Sequence, residues 1–499
     1  MSVFDDKPER RVIPRWRDSA VTAVLGETDP LPVRHPPDFF SEDALGRRKA
    51  EWERVRSVPH AAELVGMALV MDRPEEARGA AEFLLSSDLA GPVAQRLGRQ
   101  LLSYARVDDP AATDLNLPQA IRRLRQELQL FPRNPHGWVD LSRLYAVSGQ
   151  NASAERAIEI AVGLGREDRL TLRSATRFYL HIGDSQRALR LLRRSRATER
   201  DPWLLAAELA TASVAGATSR FMREARSFLK ESGLSPWHLS ELASALATTE
   251  LSGGNARRAR QLFEQALASP TDNAVAQGQW AKRWLQELEI PDSALVIPRA
   301  HEARSWERYE AGNWKSALDA AEKWLGDEPF SSRPAVMSSF ISSVVLQEYD
   351  RSIEFCRRGL RANPDDQLLR NNLVFALASS DRLKEAIEEA KLMRTEAVSG
   401  TDAIAWTATQ GLLAFRGGKS LAGRRLYEDA IEMSRNNNRM RAFATAFLAR
   451  EELLAGTMEW RNALDRAKHE GRLLRSKVLD ELLVNIEKLG QRSRREGER

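Results

Sequence analysis

Apolar and small residues along positions 135–161, PHGWVDLSRLYAVSGQNASAERAIEIA, fall into two helical stripes separated by one turn. Trp138, Leu141, Ser142 and Tyr145 share one face of a first helix; Ala154, Ile158 and Ala161 share one face of a second. Gly149 stands between them, where a helix C-terminus needs a residue that enters left-handed backbone at little cost. Small side chains at 142, 154 and 161 let the two helices approach, and the large ones fill the space between. The predicted unit is helix, turn, helix.

The pattern returns 34 residues later at Leu172, Ala175, Thr176, Tyr179, Gly183, Ala188, Leu192 and Ser195. A turn residue followed five positions on by a small one also occurs at Asp72/Ala77, Gly254/Ala259, Gly312/Ala317, Asp381/Ala386 and Gly418/Gly423. Phe263 and Tyr427 supply the large residue of the second helix, and Pro132, Pro329 and Pro364 close their units. This period and residue code resemble the tetratricopeptide repeat, with large residues at repeat positions 4, 7, 11 and 24 and small ones at 8, 20 and 27. The resemblance extends over about ten or eleven units in residues 59–475. It implies an all-α fold, a right-handed α-solenoid of helix-turn-helix repeats whose first helices line a concave groove.

Departures from the code are informative. Residues 203–235 and 272–297 fit poorly, and Trp324 and Met393 stand where the code asks for small side chains. Residues 107–117, RVDDPAATDLN, read as an inserted loop, and a break in the array is expected near 286–299. Four regions follow: a Pro-rich extended or disordered arm at 1–45, an irregular array at 46–297, a second array at 298–475, and an amphipathic capping helix with a basic tail at 476–499. Ser19–Leu25 is a short apolar segment within the arm. Val478, Leu482, Ile486 and Leu489 give the capping helix its apolar face.

Composition adds bounds. The chain has 499 residues, 29% of them charged, with a formal net charge of +5. No run approaches the roughly 18 apolar residues of a membrane span, and the N-terminus has charges where a signal peptide needs an apolar core. A cytoplasmic, membrane-free protein is expected. One cysteine, Cys356, excludes an internal disulfide framework. Arginine dominates the positive charge, with no lysine in residues 50–229, which fits a bacterial GC-rich coding bias.

The search for chemistry yields little. RGGKS at 416–420 lacks the upstream glycine and strand of a phosphate-binding loop, and Gly418 is already the repeat's turn residue. The histidines are not spaced for a shared metal. Cys356 falls on the core side of its repeat, and Asp365/Asp366 read as helix caps. No catalytic residues, cofactor or metal are therefore expected, and the chain reads as a non-enzymatic scaffold or adaptor.

The resemblance places Arg143, Arg173 and Arg177 on the concave face, with His181 close by. Met337, Ile341, Val344 and Phe375 fall at groove positions further along. Arginine forks suit carboxylates or phosphates, so the expected partner is a protein or peptide with an acidic segment. Asn371 and Asn372 match one piece of the family's carboxylate clamp, but its lysines are missing. Nucleic-acid binding through LLRRSRATER (191–200) and ARRAR (256–260) is one alternative, and a peptide-sensing regulator another. Oligomeric state and partner identity are not encoded in these patterns.

Overall fold

The computed structural model describes residues 11–28, 40–104, 117–231, 233–472, 474 and 476–497. The loop expected at 107–117 lies outside these residues but for its last position, as do the prolines at 30–37. Among the described residues the regular structure is helical throughout, without strands. Consecutive helices pack in pairs, as Pro135–Val147 does with Asn151–Leu164 and Asn438–Leu454 with Trp460–Gly471. The fold is all-α, built of consecutive tetratricopeptide-like helix pairs.

The turn code has a direct backbone cause. Asp72, Gly149, Gly183, Gly254, Gly312, Asp381 and Gly418 all have positive φ, 62° and 60° at the two aspartates. Left-handed backbone ends the first helix and points the chain back along it. Five residues on, Ala77, Ala154, Ala188, Ala259, Ala317 and Ala386 are fully buried where the paired helices touch. At Gly423 a Cβ would sit 2.5 Å from the Phe415 ring, so that crossing has no room even for alanine. Ser142 fits the crossing too, its Oγ donating to the Ala154 carbonyl at 2.8 Å.

Replacing Ala259 by tryptophan should therefore force the Pro236–Ser252 and Ala256–Leu267 helices apart. Overpacking of this kind costs about 1–3 kcal/mol, sometimes more. An unchanged melting temperature would mean that Ala259 is not the contact point.

One turn escaped the code for want of a Gly or Asp. Gln347 takes the left-handed position at φ 59°, and Ser352 five residues later is fully buried, its Oγ donating to Ser339. A π-helical turn at Ile341–Val345 precedes it. The irregular segment after Ala281 holds only a short helix, Asp292–Leu295, among turns, with Arg299 at φ 58°. Asp366 caps its helix, accepting from the Leu369 amide at 3.0 Å. Trp324 is accommodated whole, its Nε1 donating to Glu328 at 2.9 Å.

Two compact units divide the chain, Arg10–Arg304 and Ser305–Arg499. In the second, the helix Lys477–Gly497 continues past Gly490, where the apolar stripe ends. It covers the last pair through Leu479, Leu482 and Ile486, all buried. It also reaches back to much earlier repeats. Lys477 Nζ donates to the Ala311 carbonyl at 2.8 Å, and Asn485 Nδ2 to the Val345 carbonyl at 3.4 Å. Ala311 and Val345 belong to first helices of their pairs, so this helix crosses the inner side of its unit as well as capping the end.

Candidate functional site

The first helices of the Arg10–Arg304 unit form an inner face, and that face holds the chain's own N-terminal segment. Residues 11–18 are an open, non-helical strip; a short helix, Ser19–Val24, follows. Pro14 fixes one φ and removes one donor, which suits open chain better than helix. The strip is held by residues far apart in the chain. Arg11 Nε donates to Ser213 Oγ at 2.8 Å and Asn273 Nδ2 donates to the Ile13 carbonyl at 3.0 Å. Further along, Arg143 Nε donates to the Trp16 carbonyl at 3.0 Å. Ser19 donates to Asp140 through its amide at 2.8 Å and its hydroxyl at 2.5 Å.

Two kinds of contact are present. Asn273 and Arg143 grip backbone carbonyls, which any residue carries. The side chains of Arg15, Trp16 and Arg17 make the buried ionic and aromatic contacts. Arg15 donates to Asp272 at 3.0 Å and to Glu302 at 2.7 Å. Arg17 donates to the same Asp272 oxygen at 2.6 Å and to Glu27 at 3.3 Å. Between them Trp16 has no exposed surface and meets Phe178 edge-on at 6.0 Å. Burial of an indole removes about 150–250 Å² from water, on the order of 5 kcal/mol gross. The ion pairs are desolvated, with the side chains of Arg15, Arg17, Asp272 and Glu302 all below a tenth exposed. Such groups add little net stability when paired but cost much when one partner is lost.

Asp272 and Glu302 stand in the first turns of the helices Asp272–Ala281 and His301–Ala311, where the helix dipole favours negative charge. Arg96 pairs with both Asp140 and Glu127 at the far end of the strip. Burial pushes Glu27 up to about 7, against the opposing pull of Arg17.

The residues expected to face a partner are placed as follows. Arg143 holds the arm's backbone. Arg173 is buried, donates twice to Glu241 at 2.9 and 3.1 Å, and lies 4.5 Å from the Trp203 ring centre. Arg177 is buried too, one turn on. His181 is half-buried, and its imidazole is pushed from 6.5 down to about 4 by burial and by Arg177. In the second unit Met337 and Ile341 are fully buried and Phe375 nearly so. Met337 accepts from Ser305 Oγ at 3.4 Å; Phe375 meets Phe447 edge-on at 5.3 Å, with the Arg450 guanidinium 5.2 Å from its ring. The structure thus brings Arg143 and the helix Arg169–His181 to one inner face and puts the three apolar residues in the packing of the other unit. Asn372 donates to Ser339 at 3.1 Å inside that packing.

His181 gives a signed pH effect. Its folded pKa lies below the ordinary value, so the neutral form is favoured by folding. The stability it contributes is whole above about 6.5 and is lost as pH falls toward 4. Stability curves measured between pH 7 and 4 should fall less steeply for His181→Gln than for the parent. Parallel curves would show that His181 does not titrate into the unfolding transition.

Sequence reasoning passed over the arm's anchors. Arg15, Trp16 and Arg17 carry no periodic signal, and Asp272 and Glu302 fall in or beside the segment where the repeat code fails. The one available signal was a tryptophan flanked by arginines in an otherwise aperiodic stretch.

Among the described residues no three His, Cys, Asp or Glu side chains cluster as a metal site, and no helix is long and apolar enough to cross a membrane. Burial pushes the Cys356 thiol up to about 12, which leaves it a poor nucleophile at neutral pH.

A tetratricopeptide-like solenoid with an inner groove filled by an open strip is the class that fold and site define. No protein-family model matches the chain, and no curated protein matches it by sequence. Solved structures similar to it include the human IFIT1 dimer with PPP-AAAA, at 16% identity and a TM-score of 0.34 over 72% of this chain and 95% of that one. Another is yeast Tom70, at 12% identity and a TM-score of 0.29 over 90% of this chain and 96% of that one. Values this low carry no information about a ligand.

Proposed function

We propose that the protein is a non-enzymatic binding scaffold whose inner groove takes a peptide segment of a partner protein. The observation that carries this reading is the strip at residues 11–18, held by backbone clamps and side-chain pockets from several first helices. An array that seats one open chain this way has the parts a peptide receptor needs: side-chain donors to the strip's backbone carbonyls for affinity and side-chain sites for specificity. The arginines that suggested an acidic partner support it less well, since Arg173 already has Glu241 and Arg143 holds the arm.

The nucleic-acid alternative has less behind it. Arg193 of the cluster at 191–200 pairs with Glu208, and Arg260 of the cluster at 256–260 pairs with Glu264 and Glu287. These two charges are matched, while Arg194, Arg196, Arg200, Arg257 and Arg258 stand exposed, and no inner groove is built around them. A photo-crosslinking residue at Ser213, beside the arm, should capture protein from the native host, while one at exposed Val296 should not. Recovery of RNA or DNA at Ser213, falling steeply with salt, would overturn the reading.

A further inference from the structure

We propose that the groove of Arg10–Arg304 recognises a partner segment of basic–aromatic–basic character, and that residues 11–22 are the intramolecular occupant such a segment displaces. This rests on the reading of the groove as a peptide site and adds the chemistry of its ligand.

The groove's own carboxylates select the ligand. Asp272 and Glu302 converge on Arg15, and Asp272 alone receives both Arg15 and Arg17. Both acids are almost wholly buried with the arm in place. A neutral segment would leave Asp272 desolvated without the two guanidiniums it receives from the arm, and an acidic one would add like charge; both are rejected by powers of ten in affinity where such pairs are buried. A nucleic acid fails on the same ground. The slot against Phe178 takes a flat ring, filled by Trp16 to zero exposure. Its position between the two arginines sets the order basic, aromatic, basic along an open chain.

Tolerance elsewhere comes from the backbone clamps. Asn273 and Arg143 hold the carbonyls of Ile13 and Trp16, which a partner of different sequence presents equally well. Asp140 asks only for an amide and a hydroxyl, both supplied by Ser19. Charge and ring selection is therefore concentrated in three consecutive side chains, while the buried Val12, Ala20 and Val21 ask a foreign segment for small or apolar residues at their places.

Exchange is the test. A protease recognition sequence is placed at residues 30–36 of the full chain, and a fluorescently labelled peptide with the sequence of residues 11–22, RVIPRWRDSAVT, is added before and after cleavage. Binding is read by anisotropy, release of the native arm by mass spectrometry. Cleavage should strengthen peptide binding at least tenfold by removing the tethered competitor. Peptides carrying Arg15→Glu with Arg17→Glu, or Trp16→Ala, should bind at least a hundredfold more weakly than the parent peptide. If an acidic peptide or the doubly reversed one binds as well, the ligand chemistry is wrong while the peptide site stands. If the arm leaves and no peptide of any kind binds, both fall. An arm that stays through gel filtration after cleavage and never exchanges is a fixed part of the fold, and the proposal is overturned. Peptide-competable dimers of the uncut chain would make the occupant a second copy and overturn a separate partner.

Discussion

Trp16→Ala should unseat the arm and lower the stability of the Arg10–Arg304 unit by about 3–5 kcal/mol, the range for a large aromatic truncated in a closed site. Trp16 is fully buried, so the deletion leaves a void lined by Phe178 that the helices cannot close without moving. Arg15→Glu should cost a similar amount by another route, because it places a third carboxylate beside Asp272 and Glu302. Urea unfolding would report both. Val296→Ala, at an exposed position, is the matched control and should change nothing measurable. If the two arm variants unfold at the parental urea midpoint, the strip is only laid on the surface, and the contacts around Arg15 and Trp16 contribute no net energy.

The contrast between array and arm shows what the sequence could carry. Repeat period and turn code depend on local rules: 3.6-residue helical spacing, a left-handed residue at each turn, a small residue at each crossing. Those rules are written within about twenty residues, so Gly149/Ala154 or Asp381/Ala386 could be read directly. Gln347 escaped because nothing in its side chain advertises positive φ; the π-helical turn before it shifts the chain into that conformation. The arm's place depends on contacts such as Arg15 with Glu302, separated by 287 residues. No periodicity signals a pairing of that range. The same limit explains the arginines. Their concave position follows from the repeat register, but whether a concave arginine meets solvent or a buried glutamate is decided two repeats away.

Arg173 is the sharpest case. Its guanidinium reaches from the Arg169–His181 helix to Glu241 on Pro236–Ser252, passing over Trp203 of the helix pair between. Both charged side chains are under a twentieth exposed. Arg173→Glu should therefore cost about 3–5 kcal/mol, since it turns a satisfied buried pair into two buried carboxylates. Reversing Arg143 and Arg177 with it would add to the damage, because Arg143 would then set a carboxylate against the Trp16 carbonyl. Loss of partner capture by that triple variant would say nothing about a binding surface. The informative change is the pair Arg173→Met with Glu241→Leu, which removes both charges and keeps apolar contact with Trp203. Buried ion pairs are often replaceable by packed apolar residues at no net cost. The double variant should thus recover at least half of the stability lost in Arg173→Met alone, a coupling on the order of 2 kcal/mol in a double-mutant cycle. Strict additivity would mean the pair is not a unit, and Arg173 would then become available as a contact for a partner in the groove.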